Sequence, residues 1–78
     1  MVEFDTLKSK EIEFGDGEFI QLARKRALSD EGDEVFISLS RGYIDADGDR
    51  RFKSSFSIPL DEDVVGFLVD NMSDMLED

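Results

Sequence analysis

A chain of 78 residues lies at the lower end of what a single domain needs to build a core, so one domain is the ceiling and self-association is the expected support. It contains no cysteine and no histidine, which excludes disulfides, thiolate or imidazole metal sites, and catalysis by either group. Twenty Asp and Glu against nine Lys and Arg give a net charge of −11, a balance that as a whole opposes binding to phosphate.

The charge is segregated along the chain. Every basic residue lies between Lys8 and Lys53, whereas residues 54–78 carry only acids. Two explanations of the surplus compete: an acidic partner surface, or adaptation to concentrated salt. In about 1 M salt the Debye length is about 3 Å, so distant carboxylates would hardly oppose a local basic site. The first ten residues lack the apolar stretch of a secretory signal, and no run approaches the roughly 20 apolar residues of a membrane span. A cytoplasmic or nucleoid-associated protein without membrane contact is expected.

Residues 1–18 read as an N-terminal arm with an edge strand. The alternating Glu11-Ile12-Glu13-Phe14 runs into the turn Gly15-Asp16-Gly17. Residues 19–78 read as one sheet-plus-helix domain. Its first segment, FIQLARKRAL over 19–28, lies between two turn-forming clusters and is assigned to a strand. The next, VFISLSRGYI, alternates apolar and small polar residues up to Asp45-Ala46-Asp47-Gly48-Asp49, and RRFKSSFSI returns. With Asp47-Gly48 as a two-residue loop, Tyr43 faces Phe52, Leu39 faces Phe56 and Ile37 faces Ile58. The other side of the sheet then carries Phe36, Ser38, Ser40, Arg51, Lys53, Ser55 and Ser57.

Pro59 has no N–H to give a ladder and marks the strand's end; Asp61-Glu62-Asp63 places carboxylates where a helix start favours them. A helix from about Asp61 to Leu76 follows. Its apolar stripe is wider than one face of a small sheet would cover, and Val65, Phe67, Leu68 and Met72 are assigned to a dimer seam. The fold class is therefore α+β, a curved four-stranded antiparallel sheet followed by one C-terminal helix (ββββα), expected as a homodimer.

Asp45, Asp47 and Asp49 begin like a calcium loop, but Arg50 stands at the sixth position and Phe56 at the twelfth, so the segment reads as a hairpin turn. No constellation suggests an enzyme, a metal or a cofactor. The basic cluster Arg24-Lys25-Arg26 is more informative. With Ile20 and Leu22 on the apolar side, strand alternation groups Lys25 with Arg51, Lys53, Ser38 and Ser40. It puts Arg24 and Arg26 on the apolar side, where only a bulge or the sheet margin would free them. Cations for a backbone beside exposed rings, here Phe36 or Phe19, are how sequence-tolerant single-strand binders work.

The segment ISLSRGYIDADG followed by RRFKSSFSIPLDEDVVGFL resembles the positive cofactor 4 family of single-stranded-DNA-binding transcriptional coactivators, and the similarity spans residues 19–76. The resemblance implies a dimer that presents curved sheets to single strands. It implies that Tyr43 occupies the place of a nucleic-acid-contacting tryptophan, with Lys25 and Lys53 near contact positions. The hairpin register, by contrast, puts Tyr43 on the apolar side. The expected function is low-specificity binding of single-stranded DNA, or RNA, in transcription or DNA maintenance, in contact with transcription machinery. Lys25, Arg26, Arg41, Arg51 and Lys53 are assigned to phosphates and Tyr43 or Phe36 to stacking. The alternative is an acidic protein-interaction module that binds no nucleic acid.

Overall fold

The structure, a computed structural model, describes residues 3–77. Four strands, β1 (Glu3–Phe14), β2 (Glu18–Ser29), β3 (Gly32–Ile44) and β4 (Arg50–Pro59), precede one helix, α1 (Glu62–Asp74). The strands form an open antiparallel sheet in chain order, with β1 and β4 at the edges. This is the expected ββββα order. The N-terminal segment contributes more than the short piece expected of it: β1 pairs with β2 from Glu3 to Phe14. Its first eight residues, EFDTLKSK, have little strand signal of their own, and the β2 ladder supplies what local preference does not.

Each tight connection follows from its residues. At the β3–β4 hairpin the Asp45 N–H donates to the Asp49 carbonyl and the Gly48 N–H to the Asp45 carbonyl. The loop is thus Ala46-Asp47-Gly48, three residues rather than the two expected, with Gly48 at φ 85° in the left-handed position that such loops require. The extra loop residue shifts the register by one. Ile44 pairs with Arg50, Tyr43 with Arg51 and Gly42 with Phe52, until a bulge at Lys53 restores the expected partners Leu39–Phe56 and Ile37–Ile58. Tyr43 therefore does not face Phe52.

Cross-strand partners share a face of the sheet, so the registers define two. The serine face holds Phe19, Ala23 and Lys25 of β2, Phe36, Ser38, Ser40 and Gly42 of β3, and Phe52, Ser55 and Ser57 of β4. Ser38 and Ser40 hydroxyls lie 3.3 and 3.0 Å from Ser55 Oγ. Phe19 is the only large side chain fully buried among the described residues, at 0% exposure. It is packed edge-on to Phe52 at 5.3 Å and capped by the Arg50 guanidinium at 5.7 Å.

The molecule is a slab measuring 42 × 37 × 17 Å, and among the described residues the buried apolar ones are Phe19, Ala23 and Ile58. The helix α1 adjoins only β4, and none of its residues is buried. Asp61 caps it, accepting from the N–H groups of Asp63 at 2.8 Å and Val64 at 3.3 Å. Because so little packing holds α1, this cap carries a large share of its stability. Asp61→Ala is expected to cost about 1 kcal/mol, within the roughly 0.5–2 range for such caps. Loss of helical ellipticity at a lower denaturant concentration than wild type would report it.

Candidate nucleic-acid interface

The opposite face of the sheet carries the cations. By register it holds Lys8 and Lys10 of β1, Arg24 and Arg26 of β2, Arg41 of β3 and Arg51 of β4. Lys53, at the bulge, joins them: its Nζ lies 5.5 Å from the centre of the Tyr43 ring. Seven of the nine Lys and Arg residues are thus on one side, interleaved with Ile12, Ile20, Leu22, Ile37, Leu39, Tyr43 and Phe56. All but Arg26 among these cations are exposed.

Two bulges shape this face. From the turn, unbroken alternation puts Lys10 and Lys8 opposite Leu22 and Arg24; between Lys8 and Thr6 the β1 register shifts by one residue, with Leu7 as the extra one, and this turns Asp5 toward Arg26. The second bulge does the same in β4, turning Arg51 to the side of Tyr43 and sending Phe52 to Phe19. Bulges re-aim side chains in this way because the period of a strand is two.

The assigned residues therefore divide. Arg26, Arg41, Tyr43, Arg51 and Lys53 share the cationic face, but Lys25 and Phe36 lie on the serine face, paired with each other. The expected grouping of Lys25 with Arg51 and Lys53 is corrected by the Lys53 bulge. Phe36 is half-buried under Phe4, whose ring stands edge-on at 6.1 Å, and Phe19 is inaccessible. Arg24 and Arg26 do lie on the apolar side, as alternation requires, and because α1 reaches only β4 that side is open over β1 and β2. Lys8 and Lys10 were not singled out from the sequence, and Arg24 was noted in the basic cluster without a binding role; their signal was the pairing of a basic strand with a second strand that only the full ladder reveals.

Three of the four arginines on this face are held by carboxylates. Arg26 Nη2 donates to Asp5 at 3.2 Å, leaving its buried Nε without a partner among the described residues. Arg41 donates to Glu18 at 3.1 Å and lies 5.5 Å from the Phe14 ring centre. Arg51 Nε donates to Asp45 at 2.8 Å. Asp45 also organises the hairpin, its Oδ1 accepting from the N–H groups of Asp47 at 3.0 Å and Asp49 at 2.9 Å. The carboxylates of Asp45, Asp47 and Asp49 come within 4.8 Å of one another, but both oxygens of Asp45 are already engaged in these bonds.

The hydrogen bond from Arg51, followed by those from the turn, holds the Asp45 carboxyl below its ordinary pKa. On the serine face Arg50 does the same for Glu11, to which its Nε donates at 2.9 Å. A carboxyl depressed in the folded state stabilises that state at neutral pH, and the contribution is lost as pH falls below the ordinary carboxylate range through the folded value. Thermal melts in an acid series are expected to show the melting temperature falling below about pH 4. Asp45→Asn and Glu11→Gln should each flatten that fall, and a slope identical to wild type in both variants would contradict these assignments.

No protein-family model, curated protein or solved structure matches the chain. Among the described residues no helix is long and apolar enough to cross a membrane.

Proposed function

We propose that the protein binds single-stranded nucleic acid, DNA in preference to RNA and with little sequence preference, on the cationic face of its sheet. The observation that carries this reading is the convergence of seven cations from all four strands on the open side that also presents Tyr43. Lys8, Lys10, Arg24 and Lys53 have no ion-pair partner among the described residues and are available to phosphates. Tyr43, 39% exposed, offers a ring on which a base stacks. The placement of Tyr43 agrees with the contact role that the resemblance to the positive cofactor 4 family implies. Transcription or DNA maintenance is the setting consistent with that role.

The protein acts as a homodimer through α1. Phe67, Val69, Met72, Met75 and Leu76 are each more than 60% exposed, while Val65 and Leu68 are half-buried. An exposed apolar helix face on a slab with three buried apolar residues is what a second copy would cover. The acids Glu62, Asp63, Asp70, Asp74 and Glu77 on and after the same helix favour the second reading, a module that docks a basic protein partner.

Fluorescence anisotropy of labelled single-stranded and duplex oligonucleotides across a salt series separates the two. Preference for single strands, with affinity remaining when the electrostatic part is extrapolated away, supports stacking on the sheet. Absence of binding at every salt concentration leaves the protein-docking reading. Light scattering of the wild type and Phe67→Asp gives the oligomeric state, with a dimer and a monomer expected.

A further inference from the structure

At the β1–β2 end of the cationic face, Lys8, Lys10 and Arg24 line a shallow depression of about 240 Å³ together with the apolar Leu22 and Ile37. From this cluster we infer a phosphate anchor, distinct from the Tyr43 end of the sheet, which holds the backbone of the same strand whose base reaches Tyr43. The inference rests on the proposed function for the identity of its ligand, but the anchor itself is defined by charge.

Two independent observations point to an anion. Lys8 and Arg24 are direct cross-strand partners, an arrangement that places like charges side by side and destabilises a sheet. No carboxylate among the described residues pairs with either, or with Lys10, whereas Arg26, Arg41 and Arg51 each have one. In a chain with 20 acidic residues, three adjacent cations left without a carboxylate are the opposite of what surface charge balance would place there. The second observation is the unbroken β1–β2 register from the turn, which brings both lysines onto this face beside Arg24. An external phosphodiester relieves the repulsion at Lys8–Arg24 without having to displace an internal carboxylate, which a phosphate at Arg26, Arg41 or Arg51 must do. Leu22, 49% exposed beside the cations, suits the sugar edge of a nucleotide.

The anchor is tested first with inorganic pyrophosphate, followed by amide and side-chain NMR shifts. Shifts centred on Lys8, Lys10, Leu22 and Arg24, and lost in the triple variant Lys8→Gln, Lys10→Gln, Arg24→Gln, are expected. Shifts absent from this cluster, or spread evenly over all lysines, overturn the anchor. The triple variant should melt no lower than wild type, because removing like charges relieves the cross-strand repulsion, so a binding loss is not a folding loss.

Oligothymidylates of graded length provide the second measurement. The wild type gains affinity with length until the strand spans both ends of the sheet. The triple variant loses that gain, and its salt slope falls by about 2, at roughly 0.7 per phosphate contact on a single strand. Equal affinity and slope in both proteins overturn the shared path. Pyrophosphate binding at the cluster with no oligonucleotide binding by the wild type would retain the anion site and reject the nucleic-acid reading.

Discussion

Gly42→Ala is expected to destabilise the protein sharply. Gly42 sits in β3 opposite Phe52, beside the Lys53 bulge, where the two strands approach closely. A Cβ there would press into the Arg51 backbone carbonyl and stand 2.8 Å from Phe19 Cζ. Neither neighbour can give way cheaply: the carbonyl belongs to the ladder, and Phe19 is the one fully enclosed ring. Overpacking of this kind costs typically about 1–3 kcal/mol and more where backbone must move. A domain of this size has of the order of 4–12 kcal/mol in total, so the urea midpoint should drop sharply. An unchanged midpoint would mean that the hairpin does not have the bulged register described above.

Binding to single strands should distinguish the two faces of the sheet. Tyr43→Ala is expected to weaken an oligothymidylate by about 1–3 kcal/mol, the worth of one stacked base, or roughly 5- to 150-fold. Lys53→Glu removes a cation beside that ring and introduces a repulsive charge, and together with Arg24→Glu it should abolish measurable binding. Lys25→Glu should leave affinity nearly unchanged, since Lys25 is on the serine face with Phe36. Anisotropy at one fixed salt concentration suffices for the comparison. Equal losses at Lys25 and Lys53 would contradict the assignment of the ligand to one side.

The sequence made the order of elements legible because the cues were local. Asp61 at the head of an apolar stripe, Pro59 closing a strand, and Gly-rich or Asp-rich turns each act over a few residues, and the helix observed over Glu62–Asp74 lies inside the one expected. The pairings Leu39–Phe56 and Ile37–Ile58 were readable because hydrophobic alternation fixes register across a hairpin. Facing at the hairpin tip was not, since Asp-Gly is compatible with both a two-residue and a three-residue loop, and only the longer one demands a compensating bulge. The site suffered most from this. Parity counted through Lys53 assigns Arg51 to the wrong side and separates Tyr43 from its cations, which is why the resemblance and the alternation disagreed over Tyr43. Lys8 and Lys10 were missed because no strand was assigned to them. Their strand has weak intrinsic preference, and a bulge leaves no residue signature of its own.

Surface chemistry in this chain is consequently set by counting as much as by composition. Deleting Leu7 would leave both lysines in place, since Thr6 and Lys8 already pair with the neighbouring Lys25 and Arg24, but deleting one residue between Lys10 and the turn, such as Glu13, would carry both lysines through the plane of the sheet. The electrostatic sidedness of the slab is thus exposed to insertions and deletions in a way that point substitutions would never reveal. Among divergent copies of such a fold, the spacing between the paired strands would have to be kept even where the amino acids between the bulges drift.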